Sequence, residues 1–209
     1  VLDVFKQFSQ AGLEVKEALE ATRTALLGMN ATGADTEQIF NAIVGANKIF
    51  NIAFEDSIKI IDKVKRVDQE FAVSAKDLID SITAIGPVIV QMGGSIDDLF
   101  GLIAGLGEAA RISGKEASNA FKRILTQIPA TEGVRALQSM GVAVFDATGG
   151  YRKLSDIVHD LSIAYQNANQ VQRQNIAITL GQVRQSPKLL AFLENIDRAF
   201  AATEVSSTA

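Results

Sequence analysis

The chain has 209 residues, with 20 Lys and Arg against 24 Asp and Glu, a formal net charge of −4. That length holds one or two domains, and the weak acidity gives no general attraction to nucleic acid or anionic lipid. With 47% apolar residues, three Pro, one His and no Cys, the composition argues against disorder. It excludes disulfides, thiolate chemistry, cysteine-based metal centres and any site that needs two imidazoles.

Apolar residues recur mostly at spacings of three and four, which predicts a mainly α array or bundle of short amphipathic helices. The first helix is expected from about Leu2 to Gly28, with Val15, Leu19, Thr22 and Leu26 on its apolar face. Asn30 to Gly33 is a break. Asp35 and Gln38 form a capping-box pattern ahead of Ile39, Ile43, Ala46 and Phe50. A short helix over about Phe54 to Val67 carries Ile58, Ile61 and Val64.

Ser74, with Asp77 three residues on, opens a helix whose stripe is Leu78, Ile82, Ile85 and Ile89. Pro87 within it predicts a kink or boundary near Gly86, and Gly93 and Gly94 end it. Ser95 with Asp98 opens the helix of Leu99, Ile103 and Leu106. Ser113 with Glu116 opens that of Ala117, Ala120, Phe121 and Ile124. A register of sixty residues relates Gly33, Phe40, Ile43, Gly45 and Ile52 to Gly93, Phe100, Ile103, Gly105 and Ile112, and Lys16 to Lys76. It points to two copies of a helical unit, residues 12–67 and 72–127, within a helical region 1–128.

After Pro129 the pattern changes. Ala130 to Met140 reads as a short helix. Gly141 to Phe145 reads as extended, and Asp146 to Gly150, including Gly149, as a turn leading to Tyr151 and Arg152. This predicts one small β-hairpin over residues 142–152. Helices follow over Lys153 to Gln166, through Ile176, Ile178 and Leu180 near Gly181, and from Pro187 onward. Hairpin and helices make a region 129–202, and residues 203–209 are expected to fray. No run of eighteen uncharged apolar residues occurs; Ile82 to Gln91 comes nearest and is too short to cross a bilayer. The N-terminus lacks Met and carries Asp3, which points to a fragment of a longer protein.

Residues with reaction chemistry do not converge in the sequence. Glu55 and Asp56 are adjacent, so on a helix they point about 100° apart, and acidic residues suit a helix start. Glu108 reads as a structural partner of Arg111 or Arg123. His159, flanked by Asp156 and Asp160, reads as a solvated helical histidine. Gly101 to Gly107 lacks the strand and the Gly-Lys-Ser/Thr ending of a phosphate loop, so Gly101 and Gly105 read as a close helix crossing. Asp146, Thr148 and Gly150 lack the remaining ligands of a calcium loop. Lys63, Lys65 and Arg66 read as a solvated helix end, without aromatic residues to stack on bases. Arg173 and Arg184 are candidates for a partner surface. No catalytic, metal or cofactor residue is assigned.

Taken in order, Ser74 to Leu78, Gly86-Pro87, Gly94 to Leu106, Glu108-Ala109, Ser113 to Glu116 and Asn119 to Leu125 resemble one family. Leu137, Gly141-Val142, Phe145-Asp146, Gly149, Leu154, Ile157, Leu161 and the Gly181 segment continue the match. The chain resembles the core region of phage tail tape measure proteins, the family named after a lactococcal phage tail protein. The resemblance covers about Gly28 to Phe192. It implies a structural, non-enzymatic segment of a longer protein that self-associates in the tail lumen, sets tail length and is ejected ahead of the DNA. Implied partners are the tail tube protein, tail assembly chaperones, tail tip or baseplate proteins and the host envelope at ejection, without sequence-specific nucleic acid binding. The implied locations are the virion tail lumen and, during assembly, the host cytoplasm. The alternative is a cellular or prophage-derived helical adaptor without a ruler role. Gly101, Gly105, Gly107 and Gly114 lead to the expectation of loose packing that can rearrange in a narrow tube.

Overall fold

The computed structural model describes Val1–Ala209. Eleven α-helices follow one another: α1 (Leu2–Gln10), α2 (Val15–Thr32), α3 (Thr36–Phe50), α4 (Ser57–Glu70), α5 (Ala75–Gln91), α6 (Ile96–Ala110), α7 (Gly114–Gln127), α8 (Thr131–Ser139), α9 (Leu154–Asn167), α10 (Gln170–Glu194) and α11 (Asp197–Ser207). A 3₁₀ turn over Phe54–Asp56 leads into α4. One contiguous core runs from Val4 to Ala202.

The expected first helix is two. Gly12 at φ +90° breaks it, and Glu14 and Glu17 close a reciprocal capping box that starts α2. The face of α2 that packs inward carries Ala18, Ala21, Thr22 and Ala25. Val15 and Leu19, expected inside, are 66% and 57% exposed. The stripes of α5, α6 and α7 are buried. Pro87 does not break α5, which is helical through Gln91. Pro87 itself is exposed, and a proline-containing helix can continue where the freed carbonyl finds another partner. Gly93 at φ +67° then ends α5, and the amide of Gly94 closes back on the Ile89 carbonyl at 2.9 Å.

The β-hairpin expected over residues 142–152 is absent, and the chain contains no strand. Phe145 and Tyr151 form a single antiparallel bridge, with their rings 5.1 Å apart. Two backbone bonds flank it, Asp146 N to Gly150 O at 2.8 Å and Arg152 N to Val144 O at 3.0 Å. Lys153 already caps α9, so no residues remain after Arg152 to extend a ladder. Val142 and Val144 are buried, and their alternation serves packing under a loop.

The C-terminal residues 203–209, expected to fray, are helical to Ser207, with Ser206 fully buried. The helix expected from Pro187 is present but starts earlier, after Gln182, and ends at Glu194. α10 starts at Gln170 from an Asn169–Gln172 capping box and is broken into two helical segments at Gln182, which has φ 50° and ψ −174°. Gly181 makes the bend sterically accessible: a Cβ there would lie 2.6 Å from the Ser186 nitrogen. No single helix is long and apolar enough to cross a membrane; α5 and α6 are so only as a pair, and they meet at 115°.

Asp146 organises the turn before α9. Its Oδ1 accepts from the Thr148 hydroxyl at 2.6 Å, the Thr148 amide at 2.8 Å and the Gly150 amide at 3.0 Å. The Thr148 hydroxyl, then the two amides, hold its carboxyl below the ordinary 3.8. A lowered folded value means that the turn's contribution is present above the unfolded value and lost as pH falls through the folded one. The carboxyl carbon resonance of Asp146 is therefore expected to titrate with a midpoint below 3.8. A midpoint at or above that value contradicts the turn geometry.

Candidate functional site

The most extensive helix–helix contact in the chain is the seam between α6 and α11. Nine consecutive residues of α6, Leu99 to Gly107, are buried and none has a polar side chain. A helix apolar on all sides needs partners on all sides. Gly101 and Gly105 give α11 its place: a Cβ on Gly105 would lie 2.7 Å from that of Ala199, and one on Gly101 would collide with the Thr203 hydroxyl. These glycines mark tight packing, contrary to the looseness expected of them. Gly114 is equally tight, with a Cβ there 2.6 Å from that of Asp77.

A polar tie closes one end of the seam. Lys63 Nζ on α4 donates to Asp97 Oδ1 on α6 at 2.9 Å and to the Ser206 carbonyl on α11 at 2.7 Å. The Ser206 hydroxyl donates to the same Asp97 oxygen. The Lys63 and Asp97 side chains are only 15% and 21% exposed. Lys63 thus leaves the basic group in which the sequence places it. Lys65 and Arg66 remain exposed. The signal for an inward Lys63 is its position one turn from the buried Ile60 and Val67, although its partners lie 34 and 143 residues away.

The serine caps behave differently from one another. Ser95 and Asp98 form a reciprocal box. Ser74 and Ser113 accept from the amides of Asp77 and Glu116 at 3.1 and 3.2 Å. The two carboxylates reach elsewhere. Asp77 Oδ2 accepts from the Gly114 amide at 2.9 Å, joining α5 to the start of α7. Glu116 pairs with Lys188 on α10 at 2.6 Å. Phe121 meets Phe192 edge to face at 4.9 Å across the same interface. Gly86 admits Phe50, whose ring would lie 3.0 Å from a Cβ there. Gly141 and Gly149 take positive φ in the turns flanking Phe145.

Glu108 accepts from the Ala72 amide at 2.9 Å and faces Arg198 Nε at 3.6 Å; neither Arg111 nor Arg123 is its partner. His159 is 62% exposed, with Asp160 as its acidic neighbour at 3.8 Å. Asp56 pairs with Lys59 at 2.8 Å. Arg173 is an internal brace. It donates to the Ala168 and Gln166 carbonyls and stacks 4.8 Å over the Tyr165 ring. Burial, then the charge of Glu194, raise the Tyr165 hydroxyl above the ordinary 10.0. No group of three or more His, Asp or Glu side chains is placed to hold a metal ion. Of the polar side chains named here, Lys63, Asp77, Asp97, Glu116 and Arg198 tie helices together, while His159, Asp56 and Ser95 make local contacts only.

This geometry defines a helical packing module, whose chemistry lies in its helix contacts. A family model described as phage-related minor tail protein matches residues 1–181, and the chain belongs to that family. It is 22% identical over 191 residues to the tape measure protein of Pneumococcus phage Dp-1, covering 90% of this chain and 16% of that protein. It is 23% identical over 161 residues to the probable tape measure protein of Escherichia phage P2, covering 76% of this chain and 20% of that one. The chain thus spans a fifth or less of the length of these relatives. No solved structure matches it.

Gly105→Leu is expected to overpack the seam and destabilise the fold by about 1–3 kcal/mol, read as a lowered Tm by circular dichroism. An unchanged Tm contradicts the tight crossing. Asp97→Ala leaves Lys63 without its carboxylate. The pair is neither fully exposed nor fully buried, so a loss of about 1–3 kcal/mol in urea denaturation is expected. No loss contradicts the tie.

Proposed function

We propose that this chain is a structural segment of a tape measure protein. In this reading the full protein lies in the tail lumen, sets tail length as tube subunits polymerise around it, and leaves ahead of the DNA at infection. The observation that carries the reading is the similarity to the Dp-1 tape measure protein along 90% of the chain. The family match over residues 1–181 supports it, as does an architecture of helices held by mutual packing. The sequence resemblance is to the lactococcal-phage type of tape measure protein; the two relatives named above come from a pneumococcal and an enterobacterial phage.

The partners in this reading are further copies of the protein, the tail tube protein, tail assembly chaperones and tail tip or baseplate proteins, with the host envelope met at ejection. Assembly takes place in the host cytoplasm and the product resides in the virion. Membership of a tail protein family favours this over a cellular adaptor. The segment's part is non-enzymatic.

The test is an in-frame deletion or duplication of sixty residues within this segment of the full-length gene, with tails measured by electron microscopy. Deletion is expected to shorten the tails and duplication to lengthen them. The shift reaches about 90 Å where the segment is drawn out as one helix, and is smaller where the helices stay packed. Tails of unchanged length in both variants contradict a ruler role for this segment.

A further inference from the structure

The helices from α2 to α7 fall into two matching series. Glu14 and Ser74 precede α2 and α5 sixty residues apart, and Gly33 and Gly93 follow them, both at φ +67°. Asp35 and Ser95 cap α3 and α6 at the same offset. Asn51 and Arg111 end those helices at φ 55° and 54°. A left-handed residue other than glycine is uncommon, and generic helical periodicity does not place two in one register. α7 begins 57 residues after α4, and the missing three residues equal the 3₁₀ turn Phe54–Asp56, which has no counterpart before α7. With that shift the buried positions correspond: Ser57, Ile60, Ile61, Val64 and Val67 with Gly114, Ala117, Ser118, Phe121 and Ile124. α1 ends at Gln10 and α4 at Glu70, again sixty apart.

The two series stack through α3 and α5. A Cβ on Gly45 would lie 2.8 Å from the Thr83 methyl, and Gly86 faces Phe50 and Ile49. Gln38 donates to both oxygens of Asp80, at 2.8 and 2.9 Å. Sixty residues earlier, α2 carries Leu19, Glu20, Arg23 and Leu26 where α5 has Ile79, Asp80, Thr83 and Gly86. Ile79 is 1% exposed, but its counterpart Leu19 is 57% exposed. Nothing covers this face of α2. At the opposite end the α6 face containing Gly105 is closed by α11. The array is therefore capped at one end and open at the other, and open ends of stacked repeats are where further repeats add.

We propose that residues 12–127 are two copies of one three-helix unit, and that the outer face of α2 seats the α3-type helix of a preceding unit of the same polypeptide. The occupant is intramolecular because a second molecule has no such helix to offer: its α3 is covered by α5 and its α6 by α11. The relatives are several times longer than this chain, so a polypeptide of that size has room for such a unit. Chemistry sets what the incoming helix carries. It presents Leu19 with apolar side chains, Glu20 with a hydrogen-bond donor at the position of Gln38, and Arg23 with a small or acidic residue at the position of Gly45. The inference is independent of the ruler reading, since it concerns packing within one polypeptide.

The chain has no cysteine, so Leu19→Cys introduces a single thiol, and Lys16→Cys serves as its control. Lys76, the counterpart of Lys16, stays exposed although α3 covers α5. Thiol modification of each variant is timed in the 209-residue chain and in the full-length polypeptide as encoded. In the full-length protein the Leu19→Cys thiol is expected to react about tenfold slower or more, because reaction requires the interface to open, while the Lys16→Cys thiol reacts alike in both. Equal rates for the Leu19→Cys variant in the two polypeptides overturn the proposal. So does equal slowing of both variants, which is not the seating of α3 on α5. Slowing of the Leu19→Cys reaction in the short chain that grows with its concentration overturns it too, by assigning the face to a second molecule.

Discussion

Burial of α6 is the constraint on which the array depends. From Leu99 to Gly107 this helix presents no polar side chain in any direction, so it folds only inside a ring of other helices. α5, α7, α10 and α11 supply that ring, with α4 at its edge. Two of its positions are glycine because α11 lies too close for a side chain. The α11 helix has weak amphipathic character of its own and is ordered by the notch it enters. Its Ser206 then completes the tie among Lys63, Asp97 and the α11 backbone.

The carboxylates follow from the same arrangement. Asp68, Asp77, Asp80, Asp97, Glu108 and Glu116 each bond to a group on another element of the fold. Asp68, Asp77 and Glu108 accept backbone amides, Asp97 and Glu116 pair with lysines between helices, and Asp80 accepts from the Gln38 side chain, which costs less than leaving those groups unpaired. A module built this way has its acidic groups distributed along helix junctions.

Much of this is legible from local chemistry. Serine and aspartate caps mark the starts of α3, α5, α6 and α7, because a cap depends on residues three positions apart; the Asn169–Gln172 box that starts α10 lies in a polar stretch whose reading as loop or helix start the sequence leaves open. The stripes of α5, α6 and α7 are legible for the same reason. What escapes a reading of the sequence is set by distant partners. Asp77 and Glu116 look like local box residues but bond to Gly114 and Lys188. Lys63 looks solvated because Asp97 and Ser206 are remote in sequence. The alternation of Val142 and Val144 has the period of a strand, yet α9 begins too soon for a partner strand to form. Apolar spacing puts Val15 and Leu19 on the α2 stripe, whereas the smaller Ala18, Ala21 and Ala25 face the core. In the sequence the sixty-residue register rests on scattered identities; the caps and left-handed helix ends fall in the same register.

Native-state hydrogen exchange tests most directly whether the buried α6 and its α11 cover hold the array together. Amides from Leu99 to Gly107 are expected to be among the most protected in the chain, and the α11 amides to open in the same cooperative step. Exchange of α6 as fast as that of α1, or an α11 that exchanges like a frayed tail while α6 stays closed, would contradict the account.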